Sequence, residues 1–277
     1  MKFHKINGTG NDFVIINNMD GALSPETLSR MAKKLCERHM SIGADGLMAV
    51  AHSDVADFKM EFFNSDGSVG EMCGNGARCI CRYGYEMGLS GETQTVETFS
   101  GVITGHRVDS RLYRIRLTDP TVVKPEYTVD YVGASYECGY VELGNPGLPH
   151  AVIPMPGLRD TEPRQLFELA RTLRSHNAFP KGANVNFYEV VGENHVFERT
   201  FERGVEDFTY ACGTGTASVA LILTLKGFSS GRGFIADMVG GRLIVDVESD
   251  GAKTALYLTG PTNIVAAGEI LDEELEI

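Results

Sequence analysis

The chain has no tryptophan, no apolar run near bilayer length and no excess of basic residues. The missing tryptophan decides little. A transmembrane helix needs about 20 consecutive apolar residues, and no stretch approaches that. Lys and Arg number 25 against 37 Asp and Glu, a net charge of −12. Phosphate-binding and anionic-membrane surfaces need clustered cations, so neither nucleic acid nor membrane is expected as a partner. The start, Met1-Lys2-Phe3-His4-Lys5-Ile6, lacks the apolar stretch of a signal peptide, which points to the cytoplasm. Cysteine is sparse: Cys36, Cys73, Cys79, Cys81, Cys138 and Cys212. With no export signal, a disulfide framework is not expected. Cys73, Cys79 and Cys81 cluster without the paired Cys-x2-Cys spacing of structural zinc, so no metal is expected. Cys36, Cys79, Cys81 and Cys138 read as small buried apolar residues.

Glycine is abundant, at 32 of 277 residues, and two glycine-rich segments stand out. Cys73-Gly74-Asn75-Gly76-Ala77-Arg78 and Cys212-Gly213-Thr214-Gly215-Thr216-Ala217 lie 212 − 73 = 139 residues apart. Each follows a β-rich stretch and opens a helical pattern. A thiol at a helix N-terminus meets unpaired N–H groups and the positive end of the dipole, and both favour thiolate. Alone, either cysteine reads as a buried thiol. As a pair, one from each half, they point to a cleft with a sulfur on either side of a substrate. The two glycine turns would hold a carboxylate. One thiolate would remove the proton from the neighbouring carbon, and the opposite thiol would return one, inverting the centre.

The pattern along the chain predicts a strand–glycine turn–strand over 2–17 and a helix over 25–36, with Ser24 as N-cap and Pro25 in the first turn. Strand patterns follow over 56–64, 93–108 and 112–117, with a helix over 75–87 closed by Gly88. Residues 120–125 read as a crossover between halves. The second half repeats the plan: strands at 139–143, 186–191 and 196–201, helices at 163–176 and 212–225, then strands at 233–239, 242–247 and 255–258. Cys73 to Gly101 and Cys212 to Gly241 span 28 and 29 residues, so an internal duplication is expected. The fold class is α+β: two pseudo-symmetric lobes, each a curved mixed or antiparallel sheet around a central helix. The expected boundaries are 1–118 plus 263–277 for the lobe carrying Cys73, and 119–262 for the lobe carrying Cys212.

Two further segments carry chemistry. Glu202-Arg203-Gly204 offers a carboxylate and a guanidinium ten residues before Cys212; by itself it reads as a surface ion pair. Gly144-Asn145-Pro146-Gly147-Leu148-Pro149-His150 reads as a rigid loop with an exposed imidazole.

These motifs together resemble the diaminopimelate epimerases, cofactor-independent amino-acid epimerases. The resemblance rests on Gly8-Thr9-Gly10-Asn11-Asp12-Phe13, Gly43-Ala44-Asp45-Gly46, Phe63-Asn64-Ser65-Asp66-Gly67-Ser68, Met72 to Cys79, Gly144-Asn145-Pro146, Glu202-Arg203-Gly204 and Ala211 to Gly215. It covers essentially the whole chain. It implies that Cys73 and Cys212 are the acid/base pair, with His150 assisting Cys73 and Glu202 assisting Cys212. It places Asn11, Asn64, Asn145, Asn184, Glu202 and Arg203 around an amino-acid substrate, with the Gly74-Asn75 and Gly213-Thr214 backbone holding its carboxylate. It also implies two lobes that close on the ligand, a homodimer and no pyridoxal phosphate. The implied reaction is LL- to meso-diaminopimelate, in lysine and cell-wall precursor synthesis. Two departures bear on the substrate. Gly147-Leu148-Pro149 interrupts the family's Gly-Asn-Pro-His, and Phe208 and Tyr210 bring two rings near the second cysteine. Such rings suit an aromatic or cationic side chain, so a racemase of another amino acid, histidine for example, is one alternative. Cysteine-free isomerases and related dehydratases share the architecture, and retention of both thiols speaks against them. A redox-sensitive amino-acid-binding protein is a third, its thiols forming a disulfide if their Cα atoms approach within about 7 Å.

Overall fold

The computed structural model describes residues 1–70, 73–131, 133–251 and 253–271; Met72 and residues 272–277 of the sequence reading lie outside these. The chain folds as two compact units, Met1–Ile115 with Gly260–Ile277, and Arg116–Thr259.

The first unit runs β1 (Lys2–Gly8), β2 (Asn11–Asn17), α1 (Pro25–Leu35), β3 (Gly46–Ala51), β4 (Phe58–Asn64), α2 (Gly74–Glu86), β5 (Thr93–Thr98), β6 (Gly101–Arg107) and β7 (Leu112–Arg116). The second runs β8 (Pro120–Tyr131), β9 (Ala134–Leu143), β10 (Leu148–Pro154), α3 (Pro163–Arg174), β11 (Asn184–Gly192), β12 (His195–Glu202), β13 (Asp207–Thr209), α4 (Gly213–Leu225), β14 (Phe234–Met238), β15 (Gly241–Ser249) and β16 (Thr254–Pro261). The last strand, β17 (Asn263–Glu269), returns to the first unit and pairs with β1. The class is α+β. No helix among the described residues is long and apolar enough to cross a membrane.

The strands of the two units repeat one pattern of neighbours. In the first unit the order β17-β1-β2-β3-β4-β5-β6 runs antiparallel, antiparallel, parallel, antiparallel, parallel, antiparallel, and β7 then joins β6 antiparallel. In the second, β8-β9-β10-β11-β12-β14-β15-β16 runs through the same succession. The cysteine helix sits at the same place in each, before the strand that makes the second parallel pairing. Both helices are buried nearly all round: α2 from Gly74 to Cys81, α4 from Gly213 to Leu223. A helix without a wet face has to be surrounded. Accordingly α2 touches β1 and β2 as well as β6, and α4 touches β8 to β11 as well as β15. Glycine on the strands permits the approach. A Cβ on Gly105 would lie 2.3 Å from Cys81 Sγ, and one on Gly139 2.7 Å from Ile222.

The outer helices are amphipathic instead. Leu28, Met31, Ala32 and Leu35 of α1 face a core with Val14, Ile16, Leu47 and Ala49. Ser24 caps α1, its hydroxyl accepting from the Thr27 N–H at 3.3 Å, and Pro25 needs no partner there. Leu166, Ala170 and Leu173 of α3 face Ala151, Ile153, Val185, Phe187 and Phe201.

Two expectations change. Residues 120–125 do not form an irregular crossover but begin β8; the ladder with β9 shifts between Pro120 and Val122 and between Lys124 and Tyr127. Pro120 and Pro125 have no N–H to contribute, and the irregularities fall where they sit. His150 is not on an exposed loop. The hairpin register pairs Leu148 with Leu143 and His150 with Val141, so the three extra residues extend β10 and its turn, and His150 is fully buried.

Candidate functional site

The first cysteine turn is built where β4 hands over to α2. After β4, the Asn64-Ser65-Asp66-Gly67 turn closes with Gly67 N–H donating to Asn64 O at 2.8 Å. Cys73, half-buried and extended (φ −111°, ψ 121°), is the N-cap of α2, and its carbonyl takes the Ala77 N–H at 2.8 Å. A helix start leaves its first N–H groups without helical acceptors, and Gly74, Asn75 and Gly76 occupy that turn. The Asn75 side chain is 2 % exposed and held from both sides. Its amide donates to Asn11 Oδ1 at 2.5 Å, and its Oδ1 accepts from Arg78 at 2.8 Å. Asn11 in turn donates to Asp45 Oδ2 at 3.0 Å. Asp45 and Asp12 share Arg38, at 2.9 and 2.7 Å. Burial pushes the Asp12 carboxyl up, but hydrogen bonds from Arg38 and Lys5 outweigh it and hold it below the usual range. The structure thus joins Cys73, Gly74, Asn75 and Asn11. Asn64 instead donates to Ser68 Oγ at 2.9 Å, one residue from Ser65, whose N–H meets Asp45 O.

The second turn follows the hairpin of β12 and β13. Cys212 is the N-cap of α4 (φ −122°, ψ 105°), 8 % exposed, with Thr214 Oγ1 3.6 Å from its sulfur. A helix end alone predicts an acidic thiol, and here burial wins. Desolvation, then the Glu202 carboxylate, hold Cys212 well above the ordinary thiol range, although Thr214 and the Gly215 N–H pull the other way. Glu202 accepts from Thr209 Oγ1 at 2.7 Å. Asn184 Oδ1 accepts the Arg203 N–H at 2.8 Å, and the Arg203 guanidinium donates to Lys181 O at 2.8 Å.

His150 belongs to this unit. In register, His150 faces Asn184 and Asn186 faces Thr200. His150 Nδ1 lies 3.3 Å from Asn186 Nδ2, and Nε2 has no hydrogen-bond partner among the described residues. Burial pushes the imidazole down to about 3, so it is neutral at physiological pH. Asn145 is exposed on the β9–β10 turn, away from this ladder of polar side chains in sequence and in pairing.

Phe208 corrects the expectation of a ring offered to substrate. Its ring packs edge-on to Phe201, centroids 5.5 Å apart, and beside Phe187 at 6.4 Å, on the α3 side of the sheet. Tyr210 is 63 % exposed.

The sequence reading missed Arg78, Asn186, Glu198 and Thr200. A signal was available for three of them: period-two alternation puts Asn184 with Asn186, and Glu198 with Thr200 and Glu202, on one strand face each. Arg78 was legible only as part of its motif.

Gly215 separates packing from chemistry. A Cβ there would sit 2.1 Å from Asn186 Oδ1 and 3.2 Å from Cys212 Sγ. Asn186 cannot yield cheaply, because its amide donates to Ala151 O at 2.9 Å and Asn184 O at 3.3 Å. A Cβ on Gly76, by contrast, meets the flexible end of Met48 at 2.4 Å. Gly215→Ala is expected to cost roughly a hundredfold in turnover through a misplaced sulfur, and Gly76→Ala far less. Steady-state rates of both variants check this, and equal losses would count against it.

The sequence model of the diaminopimelate epimerase family matches residues 3–121 and 143–265. A diaminopimelate epimerase from Aquifex aeolicus is 39% identical over all of both chains. One from Methanothrix thermoacetophila is 36% identical, covering 100% of this chain and 98% of the relative. Among solved structures, a Bacillus anthracis phenazine biosynthesis protein of the PhzF family superposes with TM-score 0.74 at 18% identity, over 98% and 99% of the two chains. A hydroxyproline epimerase from Agrobacterium vitis does so with TM-score 0.70 at 16% identity, over 98% and 90%. At such identities these structures speak for the fold.

Proposed function

The chain belongs to the diaminopimelate epimerase family, a family of isomerases, and on that premise we propose that it converts LL-diaminopimelate to meso-diaminopimelate with two thiols and no pyridoxal phosphate. The observation that carries this reading is the Cys-Gly-x-Gly helix start at the same topological place in both units. N–H groups of the Gly74-Asn75 and Gly213-Thr214 turns hold the carboxylate and bear the charge that develops as Cα loses its proton. The Cys73 thiolate takes the Cα proton. The Cys212 thiol, kept protonated by burial and Glu202, gives its proton to the opposite face and is left as thiolate. The reverse reaction exchanges the roles. The Glu202 carboxylate then relays a solvent proton to Cys212, and the neutral His150, with Nε2 unpartnered among the described residues, relays the proton of Cys73 to solvent, which restores the starting state. Asn11, Asn64, Asn145, Asn184 and Arg203 fix the rest of the substrate.

Phe208 packs, partly buried, against the α3-side core, so the main argument for an aromatic substrate lapses and diaminopimelate is preferred to histidine. The reading carries with it a homodimer in the cytoplasm and a place in lysine and cell-wall precursor synthesis. Dialysed protein in heavy water, given LL-diaminopimelate, should yield the meso isomer with one deuterium at the inverted carbon. No turnover of either isomer, beside fast turnover of another amino acid, would overturn the choice of substrate. Binding without exchange would favour a redox-sensitive binding protein.

A further inference from the structure

Glu198 is a carboxyl group with no cation beside it among the described residues. It lies on β12, 1 % exposed, facing the same side as Thr200, Asn186 and Tyr188, against α4. Counting protons settles its state. Asn186 Nδ2 faces two carbonyls, Ala151 O and Asn184 O, which fixes the amide so that Oδ1 points at Thr200. Thr200 Oγ1 lies 3.0 Å from Asn186 Oδ1, an acceptor only, so the single hydroxyl proton goes there. The Glu198 Oε1–Thr200 Oγ1 contact of 3.3 Å therefore needs a proton from Glu198. Glu198 Oε2 has no hydrogen-bond partner among the described residues. An ionised Glu198 would be a buried charge held only by neutral hydroxyls, with no cation beside it among the described residues, which is costly.

With Glu198 protonated the bonds run one way: Glu198 donates to Thr200, where an ionised Glu198 would accept from it, Thr200 donates to Asn186, and Asn186 Oδ1 fills the space left by the absent Cβ of Gly215, beside the sulfur of Cys212. We propose that Glu198 is a positioning residue for Cys212: a neutral carboxylic acid that holds Asn186 against the first turn of α4 through Thr200, and whose ionisation would set a second carboxylate facing the thiol. The claim about Cys212 rests on the epimerase reading; the claim about the proton does not.

Burial pushes Glu198 up to about 8, against the hydroxyls of Thr216 and Thr200. The ionisable groups around it are Cys212 on α4, Glu202 on its own strand and Tyr188 on β11, with neutral His150 beyond Asn186. None supplies a compensating cation. Above that pH the carboxylate takes the Thr200 hydroxyl proton as acceptor, and Thr200 no longer donates to Asn186 Oδ1. Burial already keeps Cys212 protonated in this range, so the added charge does not protect the thiol. It makes Cys212 a weaker acid, and turnover in the direction it protonates falls.

Infrared difference spectra of Glu198→Gln against the parent protein at neutral pH test the proton without turnover. The parent should show the carbonyl stretch of a protonated carboxyl that the variant lacks. The amide still donates to Thr200 but cannot ionise, so the alkaline limb of kcat should move up by roughly one pH unit. Glu198→Val, which donates nothing, should lose roughly tenfold in kcat with KM held, in protein whose circular dichroism matches the parent. Absence of the carboxyl band overturns the neutral acid. An alkaline limb that stays put in Glu198→Gln, or a Glu198→Val loss in KM alone, overturns the positioning role. The band present in a protein that turns over no amino acid would instead sink the epimerase reading.

Discussion

Cys73→Ala and Cys212→Ala should each slow inversion by at least ~10³–10⁴-fold, the scale of a positioned acid or base. The reason is geometric. Inversion needs a proton removed from one face of Cα and another delivered to the opposite face, and in the proposed mechanism each thiol serves one face. The remaining half of each variant is informative. A protein left with one thiol still holds a base for the isomer whose Cα–H points at it. That isomer should exchange its proton with heavy water slowly and with retention, while the other isomer should not exchange. The two variants should show opposite isomer preferences. The fold should survive both changes, since neither side chain belongs to the large apolar clusters flanking α1 and α3. Chiral analysis coupled to mass spectrometry reads both quantities. If either variant inverts at near-parental rate, or if both exchange the same isomer, the assignment of one sulfur to each face is wrong.

What the sequence disclosed and what it hid follow from range. The cysteine turns were legible because a helix start is local: a cap, two glycines and the apolar run after them suffice. So were α1, with Ser24 and Pro25 in place, and the hairpins around Gly10 and Gly241. Pairing between distant segments was not. The run Gly46-Leu47-Met48-Ala49-Val50-Ala51 has no alternation, because β3 is covered on both faces, and it went unread as a strand. β17 carries mostly exposed residues, and its strand character comes from β1, some 260 residues earlier. His150 was misplaced for the same reason: its burial comes from lying between β9 and β11, which no window around Gly144 to His150 contains. Phe208 was read for its chemistry when its neighbours, Phe187 and Phe201, decide its role. The polar ladder of the second unit was half legible, since alternation shows which residues share a face but not that the face is buried.

Arg78→Met should destabilise the protein by about 3–5 kcal/mol, the cost of stripping a buried network of its charged partner. Two effects oppose each other here. A guanidinium at 0 % exposure is expensive: burial pushes it down to about 10, and the ionisable groups that act on it are the thiols of Cys79 and Cys73. That drop corresponds to a penalty of roughly 3 kcal/mol. Against it stand three bonds, to Asn75 Oδ1 at 2.8 Å, Thr9 Oγ1 at 2.9 Å and Gly74 O at 3.2 Å. Charge-assisted bonds contribute about 1.5–3 kcal/mol each, so their sum exceeds the penalty. Methionine refills much of the volume but removes the guanidinium that donates to Asn75 Oδ1, Thr9 Oγ1 and Gly74 O. Lysine should not rescue fully, because one ammonium on a flexible stem cannot reach three acceptors spread around a planar fork. Activity should fall with stability, because Asn75 loses the partner that aims its amide at Asn11 beside the Cys73 turn. Urea unfolding of parent, Arg78→Met and Arg78→Lys measures the first effect, and kcat under conditions where each stays folded measures the second. A midpoint for Arg78→Met that matches the parent would mean that the desolvation cost cancels the three bonds, and that the cation serves the thiol of Cys73 rather than the fold.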